Sequence, residues 1–194
     1  MSLDALLAEI RACRVCAGEF GHEPRPVLRV SSETRLLICG QAPGRRVHES
    51  GRSFDDPSGE RLRAWLGVDR QTFYGHPAIG VAAMAFCYPG SDGAGGDRPA
   101  PKRCAALWRE RLIAALPSVE LTLLVGRPAQ LWALGRAAKP SLDAEARSWR
   151  DHLPRFLSLP HPSWRNSAWL KHNPWFEAEV TPDLRLRVAE ILNS

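Results

Sequence analysis

An α/β fold, a parallel sheet covered on both faces by helices, is what this sequence predicts. Three observations carry that expectation. Short apolar runs recur at Leu36–Cys39, Ala78–Cys87, Leu121–Val125 and Phe156–Leu159. They lack the apolar–polar alternation of a half-exposed strand, so each reads as a strand buried on both faces. Helical patterns separate them, and strands alternating with helices build a parallel sheet.

Taken in order, Leu3 to about Arg14 predicts a first helix, with Leu3, Leu6, Leu7 and Ile10 on one face. It ends at Cys13-Arg-Val-Cys16, and a polar loop leads to the first strand. That strand, Leu36–Cys39, runs straight into Gly40-Gln-Ala-Pro-Gly44 and the basic pair Arg45-Arg46. Ligands of open parallel sheets bind at the carboxyl ends of strands, which makes this loop a candidate site. The segment from His48 to Gly59 is too polar and turn-rich for a regular element. Ser58 or Gly59 then starts a short helix carrying Leu62, Trp65 and Leu66, stopped at Gly67.

Ala78–Cys87 is the second strand, and a glycine-rich loop from Pro89 to Asp97 follows. A helix over Lys102–Leu116 lies between Pro101 and Pro117. After the third strand, Gly126-Arg-Pro-Ala opens another helix, with Pro128 tolerated in its first turn. A weaker helix spans about Leu142 to Leu153. The fourth strand meets Pro160-His-Pro-Ser-Trp-Arg165, and two helices close the chain, one near Ser167–His172 and one capped by Thr181-Pro182. No internal repeat or domain boundary is evident, so one domain over residues 1–194 is expected.

Composition narrows the class. The 194 residues are 44% hydrophobic and 24% charged, as in an ordinary soluble protein, and no apolar run is long enough to span a membrane. The first residues form an amphipathic pattern without a signal-peptide core, which points to a cytoplasmic address. The net charge of +5, with arginine far outnumbering lysine, suits a polyanionic partner, because a guanidinium pairs with phosphate through a bidentate fork. Five cysteines without an export signal argue against a disulfide framework and for a metal or cluster.

Cys13 and Cys16 are separated by two residues, Cys87 ends a strand, and Cys104 lies in the first turn of a helix; four such thiolates can hold zinc or a [4Fe-4S] cluster, and spacing alone does not separate these from each other or from a coincidence of thiols. Cys39, inside an apolar strand, reads as a small buried hydrophobe. His161, held between Pro160 and Pro162 at a strand end, has a fixed backbone, so its ring can be aimed at a ligand; taken alone it reads equally as an incidental His in a proline-rich surface turn. Phe54, an aromatic ring in a polar segment, is either a core anchor or a stacking platform for a flat ligand.

Gly40-Gln-Ala-Pro-Gly44, Gly51-Arg-Ser-Phe54, the four cysteines and His161-Pro-Ser163 together resemble the uracil-DNA glycosylase superfamily, and most closely its iron-sulfur branch, family 4. The resemblance implies a three-layer α/β/α sandwich around a four-stranded parallel sheet. It further implies a [4Fe-4S] cluster on Cys13, Cys16, Cys87 and Cys104, in preference to zinc. The implied activity is hydrolytic excision of uracil or another deaminated base from DNA by a monomer. The base would be flipped out of the duplex into a pocket of Gln41, Ala42, Phe54 and residue 83. His161 would stabilise charge on the departing base, with Gln41 also at the reacting centre. Asp97 would position water, with Asp55 and Asp56 as rivals. Arg45, Arg46, Ser163 and Arg165 would hold phosphates, and Trp164 would wedge into the gap left by the flipped base.

The chain departs from the branch at three of these places. Gln41 stands where Glu is usual, Ala83 where a base-reading Asn stands, and Asp97 where the Asn of Asn-Arg takes part in catalysis. An alternative reading follows: a nucleic-acid-binding protein that keeps fold and cluster but has weak or no glycosylase activity.

Overall fold

Strands β1 (Leu36–Cys39), β2 (Ile79–Val81), β3 (Leu121–Val125) and β4 (Phe156–Leu159) lie parallel in the order β2-β1-β3-β4. The computed structural model describes residues 2–94 and 96–194, with Arg136 described by its backbone alone; Met1 and Gly95 of the glycine-rich loop lie outside it. In the register Leu36 faces Ile79 on one side and Leu121 on the other, and Thr122 faces Phe156. Because every strand points the same way, the segments after β1, β2, β3 and β4 gather at one edge of the sheet.

Side chains alternate across the sheet, and each face finds a helical cover. Leu36 and Ile38 point to the face packed by α3 (Pro57–Leu66) and α9 (Thr181–Asn193), through Leu62, Trp65, Leu184 and Val188. Leu37 points to the opposite face, covered by α1 (Leu3–Ala12) and α5 (Lys102–Ala114) through Leu6, Ile10 and Leu112. Cys39 is fully buried beside Met84, Leu124 and Ala129, the last from α6 (Arg127–Leu134). Each buried Leu or Ile contributes roughly 1.5–3 kcal/mol, which is why the uninterrupted apolar runs end up central.

Five differences from the sequence expectation have local causes. The second strand stops at Val81 instead of reaching Cys87: the chain bends over the end of β1, with Ala82, Met84 and Ala85 N–H groups donating to the carbonyls of Ile38, Gly40 and Gln41. The segment from His48, expected to be irregular, instead begins inside helix α2 (Arg45–Ser50), closed by Gly51 at φ 73° and by Arg25, which donates to the carbonyls of His48 and Glu49. Arg70–Gly75 forms α4, begun by Asp69, whose side chain accepts from Thr72 N–H. Helix α7 (Leu142–Arg147) stops short of Leu153, where the sequence placed its end. A π-helical turn, Phe176–Val180, leads into α9, and the Thr181 hydroxyl donates to the Glu177 carbonyl there. Between them, α8 covers Ser167–His172 as expected.

Candidate active site and thiol cleft

The loop after β1 forms one wall of the site. Phe54 reaches it from the segment before α3, where its backbone takes the left-handed φ of 57°, a conformation that costs a non-glycine residue energy. Gly59 makes this turn feasible, since a Cβ there would overlap the Phe54 carbonyl at 1.8 Å. Asp56 caps α3 by accepting from Gly59 N–H, and Arg63 donates to the Phe54 carbonyl. Held this way, the Phe54 ring lies over the end of β1, with Cζ 3.7 Å from where a Gly40 Cβ would stand, and meets Phe73 edge-on. Gln41 and Ala42 are half-buried beside it, and the bend after β2 brings half-buried Ala83 to the same edge.

His161 follows β4 and packs against Gly126 at the end of β3, where the φ of 86° favours glycine. Five hydrogen bonds fix its loop. Ser163 N–H donates to His161 Nδ1 at 3.2 Å, and Asn166 donates to the His161 carbonyl at 2.8 Å. From α3, Arg61 donates to the carbonyls of Pro162 and Ser163 and to the Ser167 hydroxyl. A backbone N–H only donates, so Nδ1 is the acceptor and the ring proton sits on Nε2. Burial, with Arg165 nearby, holds the imidazole below its usual pKa, against the opposing pull of Asp56 and Asp97. His161 is therefore a neutral ring presenting an Nε2–H donor.

Asp97 arrives from the glycine-rich loop, and one carboxylate oxygen lies 3.5 Å from where a Gly44 Cβ would be. Partial burial pushes its carboxyl upward, opposed by a hydrogen bond from the Tyr88 hydroxyl and by Arg165 and Arg45. Asp56 and Asp97 both act on His161, so the fold brings acid, imidazole and first loop to one place. Asp55 is instead paired with Arg70, which holds its carboxyl down. Arg45, Arg46, Trp164 and Arg165 are exposed, Trp164 to 77%, and Ser163 is half-buried.

The four cysteines converge at a second place. Cys13, Cys16, Cys87 and Cys104 line one cleft together with Phe20, Ala85 and Leu107, while Cys39 lies apart in the core. Burial and the neighbouring thiols push Cys87 up to about 12; burial likewise pushes Cys104 up to about 11, although Phe86 N–H donates to its sulfur. Among the described residues, no three His, Cys, Asp or Glu side chains close around one ion-sized point.

Arg61, Asn166 and Tyr88, which hold His161 and Asp97, carry no motif.

Known proteins bear on this geometry. A proposed uracil DNA glycosylase from Methanosarcina acetivorans, solved in solution by NMR, superposes with a TM-score of 0.47 at 16% identity, over 80% of this chain and 92% of that one. The family model of the uracil DNA glycosylase superfamily matches residues 29–185, which take in all four strands, the first loop, Phe54, Asp97 and His161. The chain belongs to the uracil DNA glycosylase superfamily.

Proposed function

We propose that this protein is a DNA glycosylase of the iron-sulfur branch that hydrolyses the bond between a deaminated base and its sugar. The observation that carries the reading is His161: a neutral imidazole whose Nδ1 is occupied by Ser163 N–H and whose Nε2–H is aimed from a tethered loop, beside Asp56 and Asp97. A stacked base is out of reach of such a site, so the nucleotide is flipped outward and its ring stacks on Phe54, between the Gln41-Ala42 turn and the Ala83 bend.

Cleavage of the C1′–N bond leaves the bonding electrons on the base. His161 Nε2–H donates to the oxygen on which that charge develops, an interaction stronger in the transition state than in the substrate. Water attacks C1′, oriented by the Asp97 carboxylate, with Asp56 as the rival base; its hydroxyl joins the sugar and its proton ends on the departing base. Ala83 offers only a methyl group, so it reads no base edge, which makes the choice of lesion broader than uracil. Arg45, Arg46 and Arg165, exposed around Asp97, supply phosphate contacts that position without reading sequence.

The thiol cleft fits a [4Fe-4S] cluster held by Cys13, Cys16, Cys87 and Cys104. The four thiols line one cleft, and the likeness to the iron-sulfur branch favours the cluster over zinc there. It is apolar, and burial pushes the Cys87 and Cys104 thiols up, which a bound cation would offset. When bound, the cluster is a four-point cross-link joining the end of α1, the segment after β2 and the start of α5.

The test is single-turnover incubation with oligonucleotides carrying uracil, hypoxanthine or xanthine, followed by alkaline cleavage of abasic sites. Strand breaks at one lesion and none at its undamaged parent support the glycosylase. Tight binding with no breaks at any lesion favours the second reading, a nucleic-acid-binding protein, which the methyl group at Ala83 recommends.

A further inference from the structure

Four guanidiniums crowd one half-buried ring, Tyr74 on α4. The Cζ atoms of Arg52, Arg70, Arg29 and Arg63 lie 4.3, 5.2, 5.7 and 5.9 Å from its centre. The carboxylate of Asp55, which also feels Arg52, is taken by Arg70. Among the described residues no carboxylate forms an ion pair with Arg29, Arg52 or Arg63. Arg63 is buried and donates to the Phe54 carbonyl; Arg29 is half-buried and donates to the carbonyls of Phe73 and Tyr74; Arg52 is exposed.

Arg29 and Arg52 line one cleft of about 270 Å³, together with Val27, Gly51, Ser53 and Tyr74. Burial opposes the charged form of Arg29, and the charge of Arg52 adds to that, against a favourable pull from Tyr74. Two like charges on one cleft repel, and an anion held between them relieves the repulsion. A phosphodiester, with one negative charge shared by two free oxygens, suits paired guanidinium forks.

The place of the cleft in the fold says whose phosphate reaches it. Arg29 pairs with Val81, the last residue of β2, and its N–H donates to the Val81 carbonyl at 2.8 Å. The cleft therefore lies at the sheet edge where the loops after the strands gather. In the order β2-β1-β3-β4 the cleft stands beside β2, Arg45 and Arg46 follow β1, and Arg165 follows β4. Basic groups thus line the whole edge over three strand spacings, ~14 Å, the axial length of about four nucleotides. Ser53, in the cleft wall, immediately precedes Phe54, and its carbonyl accepts from the Tyr74 hydroxyl at 3.0 Å.

We propose that the cleft between Arg29 and Arg52 binds one backbone phosphate of the DNA strand that carries the flipped nucleotide, on the β2 side of the base pocket. This rests on the reading of the protein as one that binds DNA and does not depend on excision. Arg52, exposed and without a carboxylate partner, is the contact residue. Arg29, whose two Nη atoms are bound to carbonyls, supplies fixed positive charge.

The experiment uses the full chain and a duplex with one tetrahydrofuran abasic analogue, which fixes the register and has no base to excise. Anisotropy titrations compare duplexes in which one linkage at a time, over about four positions on either side, is a neutral methylphosphonate. In parental protein, neutralising one particular linkage should lower affinity about fivefold. Arg52→Gln should lower affinity for the all-phosphate duplex by about the same factor and become indifferent to that linkage alone. A linkage profile that is unchanged in Arg52→Gln, or weakened equally at every position, overturns the proposal. Parental protein that binds no duplex overturns the DNA-binding reading, and the site with it. Inorganic phosphate is the second probe. If it raises the melting temperature of parental protein but not of Arg52→Gln, and no linkage depends on Arg52, the cleft takes free phosphate and the assignment to DNA is overturned.

Discussion

Arg61→Met probes how the fold aims His161 without touching the imidazole. Arg61 makes three hydrogen bonds to the loop: 3.2 Å to the Pro162 carbonyl, 3.0 Å to the Ser163 carbonyl and 3.2 Å to the Ser167 hydroxyl. Bonds to a charged group contribute ~1.5–3 kcal/mol each when well formed. These are long and half-buried, and water replaces part of them, so the sum is discounted to about 2–3 kcal/mol. Methionine keeps the apolar stem packed on α3 and removes only the fork. For a chain of this size each kcal/mol moves the unfolding temperature by roughly 2–4 °C, so Arg61→Met should melt about 4–12 °C lower. The loop loses its tie to α3 while the Ser163 and Asn166 bonds remain, so His161 keeps its tautomer and loses its aim. A displacement near 1 Å costs on the order of a hundredfold in rate, and excision should fall by about ten- to a hundredfold. Urea unfolding, single-turnover excision and amide exchange over residues 161–167 are read together. Parental exchange and parental excision in a variant of unchanged stability would refute the argument, and so would a rate loss with exchange unaltered.

His161→Ala should lower single-turnover excision on the best lesion by about a hundredfold or more, one preorganised donor being worth ~3 kcal/mol, with little change in DNA affinity; excision at the parental rate returns His161 to a turn residue. Burial holds His161 below its ordinary pKa, so excision should stay flat from pH 8 to about 6.5 and fall only as the ring charges at lower pH. Arg165→Ala removes a lowering influence and should move that acid limb to higher pH, whereas Asp97→Asn should move it lower; limbs that stay put exclude His161 as the titrating group. Unfolded His161 takes up its proton first, so this residue's contribution to stability is full above about pH 6.5 and declines below it. Arg45→Ala or Arg165→Ala should weaken binding to any DNA sequence and reduce the salt slope by roughly one phosphate contact each, measured by anisotropy across salt concentrations. Cys39→Ala should leave iron content unchanged and Cys104→Ala should lower it sharply; the opposite pattern in an iron assay would show that the wrong four thiols were chosen.

Much of the fold was determined by the sequence alone. The runs at Leu36–Cys39, Leu121–Val125 and Phe156–Leu159 are strands with the expected bounds, because a continuous apolar run has no stable place except between two covered faces. The first helix and Lys102–Ala114 likewise follow from periodicity and flanking prolines. The loops carrying Gln41, Phe54 and His161 were also legible, since glycine, proline and an aromatic in polar company mark them locally. What the tertiary structure decided is whatever depends on a partner far along the chain. The second strand ends early because Ala82, Met84 and Ala85 bond to the end of β1. Helix α2 forms because Arg25, 20 residues before its first residue, satisfies its last carbonyls. Asp97 stands beside Gly44 only because its loop folds back there, and the grips of Arg61 and Arg109 are made to backbone carbonyls, which every residue possesses. A carbonyl has no letter in the sequence, so contacts of that kind leave no pattern until the chain is folded.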